Sequence, residues 1–410
     1  MSAATAVDRG LGVTAARGFS AAGVACGIKP AGELDLALVV GRQGTLAAGA
    51  FTTNVVVAAP VVWSRARLAA SPDARVVVAN SGNANACTGP AGHRAVRTTA
   101  ERAAAEVGCL PEQVLVCSTG VIGVPLDAGR VGDGVAKATA SLRQRPGSDL
   151  DGRAAAEAIR TTDTVAKQAG TVLPGVVTVG GMAKGAAMLA PALAPAHATM
   201  LAVLTTDALA DPADLRSGLA AAVEESFNRI TVDGAQSTND TVLLLASGAS
   251  GVACDPGDLA AAVLAVCDDL ATQMLADAEG CTKVIRVEVG GAETAAAALA
   301  VARRVADSPL VKAAAYGDDP NWGRVLQAAG TAGVAFDPDA VHLELLGGPA
   351  GAAPVVLLRD GAPTGADGNA AMAGPEIGFR LHLGGQGPWA CVRTSDLTPE
   401  YVRLNSEYTT

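Results

Sequence analysis

Aromatic side chains are scarce in this chain: Phe, Trp and Tyr make up 3% of its 410 residues. A core without large rings must be filled by small aliphatic groups and by close backbone packing. The 48 glycines and the 50% apolar content fit that demand. Histidine is scarcer still, with four residues, none at ligand spacing from another. The eight cysteines (Cys26, Cys87, Cys109, Cys117, Cys254, Cys267, Cys281 and Cys391) include no C-x-x-C pair. No structural metal is therefore expected, and reduced thiols in a cytoplasmic protein are. Positive charge is also in deficit. A net charge of −10 argues against nucleic acid or an anionic membrane surface as partner. Small anions, which need only local positive potential, remain open. The N-terminus lacks a basic segment followed by an apolar run, so no secretion signal is expected.

One long uncharged run exists, residues 185–204, but Pro191, Pro195 and His197 interrupt it and small Ala and Gly residues fill half of it. A membrane span is not expected there. The length suggests two domains or one large layered body. Strand patterns are read in ELDLALVVG, TLAAGAFTT, AAPVVW and ARVVVAN between residues 34 and 80, then in VLVCST and MLAVLTT. Helical patterns are read over residues 93–107, 152–160, 211–226, 259–278 and 293–304, with two more on either side of a polar turn at 317–322. Residues 227–248 alternate as a strand, turn, and return as a buried strand. VIRVEVGG, VHLELLG, VVLLRDG, FRLHLGG and WACVRTSDLT close the list of strands. Helices do not alternate regularly enough for a doubly wound parallel sheet, so an α/β layered body with mainly antiparallel sheets is expected.

Chemistry-bearing residues gather in a few places. MLAVLTT is a buried-strand pattern, and Thr199 stands just before it, behind a loop of small residues and prolines. Cleavage at such a junction would free a threonine whose own amine can act as its base. NSGNANACTG (80–89), directly behind a strand, is either an ordinary Asn/Gly turn or a polar loop presenting amides to a site. At Thr119-Gly120 a glycine follows a strand directly; this is either a structural turn or backbone N–H groups free to point at an oxyanion. Thr161-Thr162-Asp163-Thr164 can cap a helix or grip a polar ligand. Glu279, just past a helix C-terminus, is poorly matched to the dipole there. It is either a solvated surface acid or a functional one.

A dozen segments follow one another in order: FTTN (51–54), NSGNANACTG (80–89), STGVIG (118–123), TTDT (161–164), GGMAKGA (180–186), ATMLAVLTTDA (198–208), FNRITVDG (227–234), STNDTVLLLASG (237–248), EG-TK (279–283), SPLVK (308–312), DPNWGR (319–324) and DLTPEYVRLNSEYTT (396–410). Together they resemble the glutamate N-acetyltransferase/ornithine acetyltransferase family of arginine biosynthesis. The resemblance implies a layered αββα-type fold. It also implies self-cleavage between Ala198 and Thr199 into an α chain (1–198) and a β chain (199–410) that stay associated, as α2β2. Thr199 would then carry an acetyl group from N-acetylornithine to glutamate by a ping-pong route, with no cofactor; use of acetyl-CoA as donor is left open. By the same resemblance Thr119 and Gly120 form the oxyanion hole. Thr161, Lys184, Thr199, Glu279, Asn405 and Thr410 bind substrate. The chain departs from the family pattern at Ala187, Ala235 and Thr394-Ser395, and Pro195-Ala196-His197-Ala198 stand as extra positions before the cut. The alternative is an uncleaved, catalytically silent paralogue that binds acetylated amino acids or assembles with other subunits.

Overall fold

The computed structural model describes residues 6–30, 32–144, 149–174, 177–190, 192–194, 200–349 and 351–407. In chain order, the elements up to the middle are β1 (Phe19–Val24), β2 (Leu36–Gly41), β3 (Leu46–Thr52), α1 (Ala59–Ala70), β4 (Val76–Asn80), α2 (Gly89–Val107), β5 (Val114–Ser118), α3 (Ala128–Gln144), α4 (Asp149–Ala158), β6 (Lys167–Leu173), β7 (Val177–Lys184), β8 (Ala192–Ala194) and β9 (Leu201–Thr206). There follow α5 (Pro212–Glu225), β10 (Ile230–Thr231), β11 (Thr241–Ala246), α6 (Pro256–Ala276), β12 (Val284–Gly290), α7 (Ala295–Ala306), α8 (Pro309–Tyr316), α9 (Trp322–Ala329), β13 (His342–Leu346), β14 (Val355–Arg359), β15 (Ala362–Pro363), α10 (Asn369–Met372), β16 (Glu376–His382), β17 (Ala390–Ser395) and α11 (Pro399–Glu407).

The chain divides into two compact units. The first, residues 1–228 and 235–274, contains two sheets, ordered β1-β2-β4-β5 and β6-β7-β9-β11-β3-β8. Period-2 alternation sorts the first sheet's side chains to two faces. Leu36, Leu38, Val76, Val78, Val114 and Val116 turn to one face, where they pack with Val96, Ala100 and Ala103 of α2 and Val131 and Val135 of α3. Ala37, Val39, Val77, Ala79 and Leu115 turn to the other and share a core with Phe51, Met182, Leu201, Val203, Leu243 and Leu245 of the second sheet. That second sheet carries α5 against β3 on its far side, and Leu270 and Val266 of α6 lie against Gly181 of β7. Helices, two sheets and helices therefore stack in four layers. β9 is buried on both faces, as its apolar residues 201–204 favour, and its buried Thr205 Oγ1 donates to Val13 O at 2.9 Å.

The second unit, residues 229–234 and 275–409, is built on one sheet ordered β10-β17-β12-β16-β13-β14-β15. Its core joins Ile285, Val287 and Val289 of β12 to Val301, Ala302 and Val305 of α7. Antiparallel pairings dominate across the protein, with parallel pairs at β4/β5, β9/β11, β12/β16 and β10/β17.

Two local readings are corrected. AAPVVW is not a strand: Pro60 sits in the first turn of α1, which runs on through Trp63 to Ala70, and proline there loses no helical hydrogen bond. The alternating segment after Phe227 is a 3-10 turn and only two residues of strand, Ile230–Thr231. α3 and the glycine-rich β6–β7 pair were not among the expected elements, although Val131, Val135, Ala138 and Leu142 of α3 recur at helical spacing and pack into one core. α6 is long and apolar enough to cross a membrane. Its Val263, Val266, Cys267, Leu270 and Met274 are instead fully buried within the protein. The eight cysteines are all free thiols; burial pushes Cys117 up to about 12 and Cys267 higher still, which leaves them unreactive.

Candidate functional site

β4 and β5 are parallel neighbours, with Asn80 opposite Ser118, so the loops that follow them leave the sheet at one edge. The loops then zip together. Thr119 N–H donates to Asn80 O at 3.0 Å, Val121 N–H to Gly82 O at 3.4 Å and Ala84 N–H to Val121 O at 3.0 Å. Gly120 has φ +128°, a region that side chains disfavour. A Cβ there would lie 2.4 Å from the Gly82 carbonyl carbon and 2.6 Å from Asn83 N. Only a glycine allows the two backbones to come this close. Among the described residues none accepts a hydrogen bond from the Gly120 N–H.

The amides of the 80–89 loop turn inward. Asn80 Nδ2 donates to Asn83 O at 2.8 Å, Ser118 Oγ donates to Asn80 Oδ1 at 2.6 Å, and Asn85 Nδ2 donates to Gly92 O at 3.1 Å. Of the two readings of this loop, the amides serve its own fold and its seat on the Thr119-Gly120 turn.

Lys184, the last residue of β7, is 3% exposed. Its Nζ donates to Thr161 Oγ1 at 2.7 Å, lies 3.5 Å from Thr119 Oγ1, and is 3.8 Å from Asp163 Oδ2. Two sequence candidates thus meet a third on one ammonium. Asp163 stands between two lysines, because its Oδ1 also accepts from Lys167 Nζ at 2.7 Å and from Gly185 N–H at 2.7 Å. Its Oδ2 accepts from Thr161 N–H at 3.2 Å. Burial alone would raise the Asp163 carboxyl, but Lys184 and Lys167 hold it well below the usual carboxylate range. Two ammonium groups and one carboxylate leave the cluster with net positive charge, next to the Thr119-Gly120 turn. Thr161 also lines a cavity of about 240 Å³ with Lys29, Glu33, Leu34, Glu157 and Arg160.

In the second unit, Glu279 follows α6 and its Oε2 accepts from Asn405 Nδ2 of α11 at 2.7 Å. The turn is held against the start of α11: Thr398 Oγ1 donates to Gly280 O at 2.8 Å, and a Cβ on Gly280 would come 2.5 Å from Tyr401 N. Tyr401 OH donates to Asp233 Oδ2 at 3.2 Å. The mismatch of Glu279 with the helix dipole is thus met in part by an amide donor. Ala198, Thr199 and Thr410, and the extra positions 195–198, lie outside the described residues. The first described residue after them, Met200, donates its N–H to Asp240 Oδ1.

Sequence reasoning missed Lys167, Asn239 and Asp240 as structural supports of these loops. A lysine opening a strand, four residues after an acid, was the available signal for the first. No group of three or more His, Cys, Asp or Glu among the described residues could hold a metal ion.

The profile of the ArgJ family matches residues 20–410. The arginine biosynthesis bifunctional protein ArgJ of Mycolicibacterium paratuberculosis is 47% identical over 405 residues, covering 97% of this chain and 96% of that protein. The protein of the same name from Thermobifida fusca is 45% identical over 402 residues, covering 98% and 100%. Among solved structures, ornithine acetyltransferase from Mycobacterium tuberculosis, complexed with ornithine, is 48% identical, with TM-score 0.44, and covers 46% of this chain and 99% of that one.

Proposed function

The chain belongs to the ArgJ family and is an acetyltransferase of arginine biosynthesis, and from that premise we propose that it moves an acetyl group from N-acetylornithine to glutamate through Thr199. The observation that carries the proposal is the convergence of Lys184, Thr161 and Thr119 on one buried ammonium, next to a Gly120 N–H that the described residues leave unaccepted.

In this reading the precursor cuts itself between Ala198 and Thr199. Thr199 Oγ attacks the Ala198 carbonyl, the acyl group shifts from N to O, and water opens the ester. The freed α-amine, with a pKa near 7.7–8, then acts as general base for its own hydroxyl. Attack on the acetyl carbonyl of N-acetylornithine builds an oxyanion, which Gly120 N–H and Thr119 Oγ1 stabilise. Collapse expels ornithine as the protonated amine and leaves acetyl-Thr199. The glutamate amine attacks that ester, and the proton returns through the same amine. Removal of one oxyanion donor typically costs about 10²–10³ in kcat.

Two features support the reading. Net positive charge around Lys184 suits the α-carboxylate common to both substrates. β7, before the proposed cut, and β9, after it, pair antiparallel along Val179–Lys184 and Leu201–Thr206. Two chains cut there would still be held by one sheet, which fits their staying associated; an α2β2 assembly follows from the resemblance. Glu279, Asn405 and Thr410 are kept as substrate-binding residues on the resemblance alone.

Denaturing electrophoresis with intact mass tests the proposal. The wild type should give two chains that break before Thr199, and Thr199→Ala one chain of 40.4 kDa without transfer. A wild type that stays at 40.4 kDa and transfers no acetyl group would establish the silent-paralogue reading instead. Transfer retained in Thr199→Ala would refute the covalent route. Glutamate acetylation measured with N-acetylornithine and with acetyl-CoA separately decides whether the second donor is used.

A further inference from the structure

β11 begins at Thr241, and the two residues before it reach in different directions. Asn239, 5% exposed, donates both protons of its amide: Nδ2 to Ala84 O at 2.6 Å and to Ser118 O at 2.8 Å. Its oxygen accepts from Thr238 Oγ1 at 2.6 Å, which fixes the amide's orientation. Ala84 belongs to the loop after β4, and Ser118 O is the carbonyl of the peptide that leads into Thr119. One side chain therefore ties together the two loops that shape the Thr119-Gly120 turn.

Asp240 is fully buried and its Oδ1 accepts the N–H of Met200, the amide that follows Thr199. The backbone of the same segment strengthens this link: Thr241 N–H donates to Met200 O at 3.0 Å, and Thr52 N–H donates to Asp240 O at 2.9 Å. β9 and β11 are parallel neighbours with Leu201 opposite Thr241. The register thus sets Met200 level with the Asn239-Asp240 pair.

We propose that Asn239 and Asp240 are positioning residues that hold the start of the proposed β chain and the Thr119-Gly120 turn in one fixed arrangement; this rests on the acetyltransferase reading above. Neither side chain needs to touch substrate. Asp240 fixes the peptide next to the nucleophile, Asn239 fixes the peptide next to the oxyanion donors, and successive residues at a strand start leave little freedom between them. A displacement of about 1 Å at such a place can lower turnover by about 10²-fold. A burial-only role would affect stability and leave the chemical step alone.

The test compares wild type with Asp240→Glu, Asp240→Ala, Asp240→Asn and Asn239→Ala, reading cleavage rate, kcat, KM for N-acetylornithine and thermal midpoint. Asp240→Glu keeps the charge and an acceptor but moves the carboxylate by one methylene, so it informs even if the alanine variants fold poorly. Expected are slower cleavage and a kcat lowered about a hundredfold in Asp240→Glu and Asn239→Ala, with KM changed less than about threefold. Asp240→Asn, which retains an acceptor for Met200 N–H, should recover at least tenfold over Asp240→Ala. Wild-type kcat and cleavage in Asp240→Glu would overturn the proposal. So would losses that track the thermal midpoint alone, with Asp240→Asn no better than Asp240→Ala. A wild type that neither cleaves nor transfers would instead overturn the acetyltransferase reading, and so the two failures are distinct.

Discussion

Asp163→Asn is the sharpest probe of the cluster around Lys184. The wild-type carboxylate is fully buried, 2.7 Å from Lys167 Nζ and 3.8 Å from Lys184 Nζ. At an effective dielectric near 20 these separations correspond to gross attractions of about 6 and about 4 kcal/mol. The desolvation of the three groups offsets much of this, and removal of one partner from a buried pair typically costs about 3–5 kcal/mol. The asparagine is nearly isosteric, so packing is conserved and the loss is electrostatic: two buried ammonium groups are left facing each other. At about 2 °C for each kcal/mol, the thermal midpoint should fall by about 6–10 °C near neutral pH. Asp163→Asn combined with Lys167→Met leaves only Lys184 charged and should recover about half of that. The acid limb offers an independent check. Because the folded carboxyl titrates below its unfolded value, its contribution is complete above about pH 4–5 and disappears as pH falls through the folded pKa. The single variant should lack that part of the wild-type acid slope. Thermal unfolding between pH 3 and 7 measures both. A midpoint within 1 °C of wild type, or a double variant as unstable as the single one, would refute the electrostatic account.

Gly120→Ala should lower kcat by about a hundredfold or more, because its Cβ would press the 80–89 loop away and turn the proposed oxyanion donor. A backbone strain of about 1–3 kcal/mol should appear with it in the thermal midpoint, and unchanged kinetics would contradict the placement. Lys312, in the second unit, donates to Val232 O at 2.7 Å, Thr394 Oγ1 at 3.0 Å and Ser395 O at 2.5 Å, while burial pushes its pKa down to about 8. Since the unfolded lysine keeps its proton to about 10.4, stability should rise with pH between about 8 and 10.4 by up to about 3 kcal/mol. Chemical denaturation across that range, with Lys312→Met lacking the slope, checks the sign. Asn405→Leu removes the amide donor from Glu279 and should raise KM for N-acetylornithine about tenfold at near-constant stability, since Asn405 is exposed. Steady-state kinetics would show an unchanged KM if Asn405 has no part in binding.

Much of the architecture could be read from residue order. Strong local signals identified the helices that became α2, α5, α6 and α7, and Gly108 ends α2 in the left-handed conformation that favours glycine. Weak ones failed where neighbouring residues overrode them. AAPVVW has the β-branched content of a strand, yet Pro60 and the following Trp-Ser-Arg-Ala run make it the start of α1. The glycines of β6 and β7 carry almost no hydrophobic alternation, because Gly180 and Gly170 are there to let other segments come near. A Cβ at Gly180 would meet Gly12 O at 2.1 Å, and one at Gly170 would meet Leu11 Cβ at 2.5 Å.

By itself the sequence determined the class of the fold, the family, and three of the residues that now cluster on one ammonium: Thr119, Thr161 and Lys184. These were accessible because each lies in a short motif whose residue types already limit its backbone or its chemistry. Only the tertiary structure decided that Asp163 lies between Lys184 and Lys167, and that Asn239 clasps Ala84 and Ser118. Asn239 is 155 and 121 positions from those partners, and no local preference specifies a partner at that distance. Strand order and register specify it, through the burial of whole sheet faces, and those faces form only when the chain has folded.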